Sequence, residues 1–214
     1  AHEGSFFHRW EWQQVLAETF KFESHFCLAE RDGEVVGVLP LALVESRIFG
    51  RALVSTPGCV QGGAIAEDAE ALAALERQAV GIAEAEAVDY LEIRNVARQI
   101  DQWPSNREFV RFRKPLLADP EANFKAIPRK QRAMIRKGQR ADLQASSDDD
   151  VDRFYRIYAS SVRDLGTPVP PKRYFKHLLE RFSDNVEVLT VCKNDRPLAS
   201  VLCFFFRDQV LPYY

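Results

Sequence analysis

Two stretches of this chain read as the same piece of backbone. Leu28-Ala29-Glu30-Arg31-Asp32-Gly33-Glu34-Val35-Val36-Gly37 runs from a strand end through a polar turn to a charged residue, two apolar residues and a small one. Thr190-Val191-Cys192-Lys193-Asn194-Asp195-Arg196-Pro197-Leu198-Ala199 has the same pattern. Asp-Gly between apolar segments is a strong signal for a two-residue hairpin turn, and Asn-Asp holds the same place in the second stretch. Each follows an aromatic-rich helical segment and precedes a long apolar strand. They lie roughly 160 residues apart, about one small domain. A hairpin repeated at that distance points to a sheet-building unit used twice.

The remaining elements fit around the two hairpins. Residues 6–22 have helical spacing, with Phe7, Trp10, Leu16 and Phe20 on one side. Residues 26–30 and 35–44 form the first hairpin, and 51–56 a third strand leading to turns at Pro57-Gly58 and Gly62-Gly63. An alanine- and glutamate-rich helix is expected over 68–87, then strands over 89–94 and 107–117, the latter with Phe109 and Phe112. Asp119-Pro120-Glu121 is expected to cap the basic helix that follows it. Residues 145–150 read as a linker, which divides the chain into a first domain, 1–145, and a second, 146–214. After it come helices over 151–162 and 172–182, joined by the stiff loop Gly166-Thr167-Pro168-Val169-Pro170-Pro171. A strand over 186–192 and an apolar strand pair end the chain. An apolar pair with one side open needs a cover, so the second unit is expected to be incomplete here and finished by further chain.

Composition narrows the class. A 214-residue chain with 46 % apolar and 28 % charged residues is ordinary for a soluble globular protein. No signal peptide is visible, and the apolar runs fall well short of the roughly 20 residues that cross a bilayer. Cys27, Cys59, Cys192 and Cys203 show no Cys-x-x-Cys spacing and no histidine at metal-ligand distance. Buried free thiols in a reducing, cytoplasmic compartment are expected, with no metal or permanently bound cofactor.

One stretch departs from the overall net charge of −2. Between Ile127 and Arg140, six cations occur with no acid. On a helix, Arg129, Lys130, Arg132, Arg136, Lys137 and Arg140 fall within an arc of roughly 160°. Phe124, Ile127, Met134 and Ile135 fall opposite. Such a helix is expected to dock by its apolar side and present the basic face to an anion. The alternative is a solvated face whose charges pair with acids elsewhere.

A helix, a meander of antiparallel strands, then helix and strand, in tandem, resembles the FemAB-like branch of the GNAT superfamily, also called BioF2-like or CelD-like acyltransferase domains. The nearest group is the FemAB-related proteins associated with exosortase and PEP-CTERM systems of exopolysaccharide-producing bacteria. The strings that carry the resemblance are Gly37-Val38-Leu39-Pro40-Leu41, Phe49-Gly50-Arg51, Tyr90-Leu91-Glu92-Ile93-Arg94, Ile127-Pro128-Arg129-Lys130-Gln131-Arg132-Ala133-Met134, Leu165-Gly166-Thr167-Pro168-Val169 and Val210-Leu211-Pro212-Tyr213-Tyr214. The last three are the specific ones. The resemblance implies an α/β (α+β) fold of tandem GNAT-like domains, with mixed, mostly antiparallel sheets flanked by helices. It also implies transfer of an acyl or aminoacyl group to an amine in cell-envelope, peptidoglycan or exopolysaccharide metabolism. The donor would be an aminoacyl-tRNA, with RNA contact through the basic helix, or an acyl-CoA.

The sequence departs from the acyl-CoA pattern in one respect. No glycine-rich turn of the form [QR]-x-x-G-x-[GA] stands at a strand–helix junction. The nearest stretch, Gln61-Gly62-Gly63-Ala64, is followed by Glu67 and Asp68 where a phosphate would sit, so a plain turn is the better reading. A CoA-dependent N-acetyltransferase and a non-catalytic binder of nucleic acid or anionic polysaccharide are the rival functions.

Candidate site residues follow from what acyl transfer needs: a positioned amine, a group that polarises the carbonyl, and a route for one proton. Tyr213 and Tyr214 end the last strand and offer phenols, with core packing as the competing role. Thr167 lies on the proline loop, which also serves as a plain helix connector. Arg129, Lys130, Arg132 and Lys137 offer anion contacts. Arg94 shares a strand face with Glu92, where a structural ion pair competes with substrate binding. His8, His25 and His177 have no partner spacing and read as surface or boundary residues.

Overall fold

The structure is a computed structural model that describes residues 4–48, 50–96, 103–106 and 110–214. Phe49 and Phe109, which figure in the sequence reading, lie outside the described residues. A 3-10 turn, Phe6–His8, leads into α1 (Trp10–Phe20). The first sheet follows: β1 (Glu23–Arg31), β2 (Glu34–Ser46), β3 (Gly50–Ser55) and β4 (Ile65–Ala66), then α2 (Ala69–Ala85) and β5 (Tyr90–Glu92). The connection carries α3 (Pro120–Ala126) and α4 (Arg129–Gln139). The second sheet comprises β6 (Gln144–Ser147), helices α5 (Val151–Asp164) and α6 (Lys172–Arg181), then β7 (Val186–Lys193), β8 (Arg196–Phe206) and β9 (Gln209–Pro212). The first sheet runs β1-β2-β3-β5 with β4 beside β2, and the second runs β6-β7-β8-β9. Pairing is antiparallel except for β3 with β5. The expected mixed, mostly antiparallel α/β architecture is therefore present.

The hairpin repeat is real at the level of register. Arg31 faces Glu34 across Asp32-Gly33, and Lys193 faces Arg196 across Asn194-Asp195. All four turn residues have positive φ (52° and 82°, then 48° and 61°), as a type I′ turn requires. Each hairpin then carries a bulge at the same place. Ala29 pairs with Gly37 and Glu30 with Val35, leaving Val36 extra. Val191 pairs with Ala199 and Cys192 with Pro197, leaving Leu198 extra.

Two cores result, of different chemistry. Leu39, Leu41, Leu53, Ala71, Leu75 and Ala79 fill the first, under α2. Phe154, Tyr174, Phe175, Phe182 and Phe204 fill the second, together with Phe6, Phe7, Trp12, Val15 and Leu16 from the chain start. Phe6 stacks on Phe204 with ring centroids 4.4 Å apart, and Trp12 meets the same ring edge-on at 5.6 Å. The N-terminal helix thus belongs to the core of the second sheet. Arg173 donates to the Thr19 carbonyl at 2.7 Å, and Thr19 Oγ1 lies 3.0 Å from His177 Nδ1, fastening α6 to α1.

Several expectations are corrected. The helix over 6–22 breaks at Arg9, whose extended backbone separates the 3-10 turn from α1. Trp10 is half exposed and packs on Phe26 of β1 instead of joining the core. Residues 110–117 form no strand and are exposed. The 145–150 linker is an edge strand and helix cap: Gln144–Ser147 pair with β7, and Asp150 accepts from the Arg153 amide at the start of α5. Asp119 caps α3, not the basic helix; α4 starts separately after Pro128. Nor does α4 dock by its apolar side, because it buries no residue and Met134 is 62 % exposed.

Candidate functional site

β3 and β5 pair over only three residues, Ala52–Val54 with Tyr90–Glu92. Beyond them the strands part and the chain's own loop fills the gap. Ser55 Oγ accepts from the Arg94 amide at 2.7 Å, and the amides of Gly62 and Gly63 both donate to the Arg94 carbonyl at 3.1 Å. Glycine is required at both places by close approach. A Cβ on Gly62 would stand 1.5 Å from Thr56 Oγ1, and one on Gly63 would stand 1.8 Å from Asn95 Oδ1. These glycines pack a loop, in agreement with the plain-turn reading.

The helix that follows is also closed to a diphosphate. Asp68 caps α2 by accepting from the Ala71 amide at 2.9 Å, and Arg31 pairs with the same carboxylate at 2.7 Å. The Arg31 guanidinium and the amide bonds hold the Asp68 carboxyl at about 2. A permanent carboxylate therefore occupies the amides that would receive a phosphate.

The second sheet reaches this loop through β9. Val60 N–H donates to the Tyr213 hydroxyl at 2.9 Å, and that hydroxyl donates weakly to the Gly58 carbonyl at 3.5 Å. Arg94 holds the same loop from the other side, Nη1 donating to the Cys59 carbonyl at 2.7 Å and Nε to Glu92 at 2.6 Å. Two of the expected site residues, Arg94 after β5 and Tyr213 after β9, are thus brought to one loop from the two sheets. The expected ion pair of Glu92 with Arg94 is present as well.

Adjacent residues of a strand point to opposite faces, yet Tyr213 and Tyr214 both pack on Phe204. The cause is a third bulge. The Tyr213 and Tyr214 amides both donate to the Leu202 carbonyl, at 2.9 and 3.3 Å, so two residues oppose one. Tyr214 then meets Tyr174 hydroxyl to hydroxyl at 2.9 Å inside the core. Burial raises the pKa of all three tyrosines, so each is a neutral phenol that can donate a proton in a hydrogen bond.

Four further residues of this seam gave no signal in the sequence. Ser5 donates its amide to His8 Nδ1 at 3.1 Å, which fixes that nitrogen as acceptor. His8 Nε2–H consequently donates to the Gly63 carbonyl at 2.9 Å. Burial lowers the His8 pKa, so this bridge uses the neutral ring. Cys59 is buried among the aromatic side chains, and burial raises its pKa well above the usual thiol range; it is a packing residue, not a nucleophile. Tyr174, the partner of Tyr214, completes the set. A histidine two positions before an aromatic helix carries no spacing motif, and only the fold supplies its partner.

The other expected site residues lie elsewhere. Thr167 follows the left-handed Gly166 (φ 75°) at the end of α5, and its amide donates to the Val162 carbonyl, the bond of a helix C-cap. Its side chain is exposed. Arg132 turns back to cap α3, donating to the Lys125 and Ile127 carbonyls. Arg136 lies 5.3 Å over the Phe124 ring. Arg129, Lys130 and Lys137 are exposed, and among the described residues none pairs with a carboxylate. An open groove between β1 and α2, lined by Leu28, Val36, Leu75 and Ile82, contains none of the expected site residues. Among the described residues no cluster of His, Cys, Asp or Glu could hold a metal ion, and no helix is long and apolar enough to cross a membrane.

Residues 124–214, from α3 through the whole second sheet, match the model of an acetyltransferase (GNAT) domain. Over that stretch the chain is similar to acetyltransferases of the GNAT type. Among solved structures, the chain is similar to the crystal structure of FemX, with a TM-score of 0.61 and 16 % sequence identity. At that identity the likeness is one of fold. It covers 88 % of this chain and 52 % of FemX, so the chain spans about half the length of that protein. No curated protein matches the chain.

Proposed function

We propose that the chain is part of a FemAB-type transferase that moves an acyl or aminoacyl group onto an amine in cell-envelope, peptidoglycan or exopolysaccharide metabolism. The observation that supports this most directly is a GNAT-type domain over 124–214 set in a FemX-like two-sheet fold. In the reaction the amine nitrogen attacks the donor carbonyl. A C–N bond forms, the bond to the leaving thiol or ribose hydroxyl breaks, and the proton lost from the amine ends on the leaving group. An α-amine is partly neutral near pH 7, so no charged base is required.

The Tyr213 proton is the best placed of the phenols for polarising the carbonyl, because its bond to Gly58 is long and easily exchanged for a substrate oxygen. Tyr214 would orient Tyr213 through their ring contact at 4.9 Å. Arg129, Lys130 and Lys137 are assigned to an anionic group, with Arg132 fixing the turn that presents them. An acyl-CoA donor follows from the GNAT match. An aminoacyl-tRNA donor is the second reading, favoured by the α4 cations Arg129, Lys130 and Lys137, which pair with no carboxylate among the described residues.

A thermal-shift comparison of this chain with acetyl-CoA, CoA, aminoacylated tRNA and uncharged tRNA separates the donors, since a ligand that binds the native state raises the melting temperature. A rise with CoA species supports the acyl-CoA reading, and a rise larger with charged than uncharged tRNA supports the aminoacyl one. No rise with any of them sinks the proposal. With the donor in hand, Tyr213→Phe is expected to lower the transfer rate by roughly a hundredfold.

A further inference from the structure

Basic and large apolar side chains are interleaved on the outside of the connection between the two sheets. Residues 110–140 hold ten Lys and Arg against two acids. None of the ten pairs with a carboxylate among the described residues. Phe112 is 91 % exposed and Val110 75 %, and Leu116, Leu117, Met134 and Ile135 are exposed with them. α3 and α4 bury no residue at all.

The stretch is nevertheless ordered by its own contacts. Asn123 accepts from the Leu117 amide at 2.8 Å and donates to the Leu117 carbonyl at 2.6 Å, tying residues 110–117 to α3. Arg132 and Arg136 tie α4 to α3. Arg113 reaches Gln209 of β9 at 3.1 Å. The cations left facing outward therefore sit on a braced surface, with apolar side chains between them.

We propose that residues 110–140 form a peripheral docking surface for an anionic phospholipid bilayer. Phe112, Leu116, Leu117 and Met134 would enter the headgroup boundary while the surrounding Arg and Lys meet lipid phosphates. Basic segments are drawn to the negative surface potential of such a leaflet, and exposed apolar side chains add burial that a polyanion in water does not offer. The apolar residues decide between lipid and nucleic acid. Four aliphatic side chains at 110, 116, 117 and 135 gain nothing from a phosphate backbone, and Phe112 is the one exposed aromatic here that could stack on a base. Long Lys and Arg stems can lie along the same apolar boundary with their charges in the headgroups. The inference extends the anion-binding role of α4 but does not rest on transferase activity, because docking needs no acyl donor.

Co-sedimentation of the chain with phosphatidylcholine vesicles, with and without phosphatidylglycerol, tests it. Binding is expected only to the phosphatidylglycerol vesicles and is expected to weaken with salt. The double variant Phe112→Ser, Leu116→Ser keeps the charge and alters only exposed positions, so it is expected to keep the melting temperature and lose about tenfold in vesicle affinity. Lys130→Glu with Lys137→Glu is expected to lose more. Absence of binding to the anionic vesicles overturns the proposal. So does unchanged binding by the serine variant. Retention of bulk tRNA on a filter, abolished by the glutamate variant while vesicles fail to bind, also overturns it and assigns the surface to nucleic acid.

Discussion

The β1–β2 and β7–β8 hairpins share a turn type, a register and the position of a bulge, yet they stand over cores of opposite character. The first is aliphatic and fine-grained, with Leu and Ala under α2. The second is aromatic and draws Phe6, Phe7 and Trp12 from the far end of the chain. Equal backbones therefore do not fix what packs on them. Alanines at 71 and 79 let α2 approach its sheet closely, whereas α5 and α6 bring Phe154, Tyr174 and Phe175, whose rings are satisfied by other rings. The first sheet is finished by residues near it in sequence. The second is finished by an N-terminal segment from the opposite end of the chain.

The strongest way to break this contrast is to empty the aromatic core. Phe204→Ala removes the ring on which Phe6 stacks and is expected to cost roughly 3–5 kcal/mol in urea unfolding. Phe6→Ala should cost a similar amount, and its effect should fall on the second sheet. Hydrogen exchange would then rise at β7 and β8 amides before β1 and β2. If β1 and β2 opened first, the chain start would belong to the first sheet after all. Next comes the loop between the sheets. Gly62→Ala forces a Cβ against the Thr56 side chain and is expected to cost roughly 1–3 kcal/mol; a neutral result would show that the loop is loosely held.

Tyr213→Phe removes the acceptor of the Val60 amide. About 1 kcal/mol of stability should go with it, a far smaller effect than the loss of transfer expected if this phenol polarises the carbonyl. The smallest effect is one of pH. An unfolded His8 titrates near 6.5, and burial lowers its pKa in the folded chain. Between the two values the unfolded state binds the extra proton. The contribution of His8 is therefore full above about pH 6.5 and is lost as pH falls through the folded value. The melting temperature should drop more steeply below pH 6.5 for the native chain than for His8→Gln.

Much of the fold was legible because its signals are local. Asp32-Gly33 and Asn194-Asp195 take the left-handed conformations their hairpins demand, and Asp68 caps α2. The basic arc of α4 was equally plain, since helical periodicity is fixed by backbone geometry alone. The separation of α3 from α4 at Ile127-Pro128 was not read from the sequence, because proline suits both the first turn of a helix and the boundary before one. The 145–150 stretch was misread because its small polar residues have the composition of a loop, while β7 supplies the partner that makes Gln144–Ser147 a strand. Of the candidate site, Arg94 and Tyr213 were singled out separately; nothing in their spacing announced that they grip one loop.

By itself the sequence determined the elements whose bonds close within a few residues: turns, caps, helices, and the duplicated hairpin. Tertiary structure decided which segments share a core, where the chain start packs, and that a bulge opposite Leu202 turns Tyr213 and Tyr214 to the same side. The pairing of Gln144 with Cys192 and the stacking of Phe6 on Phe204 join residues far apart in the chain. Their choice depends on shape and hydrogen bonding across the whole molecule, and no local pattern encodes that.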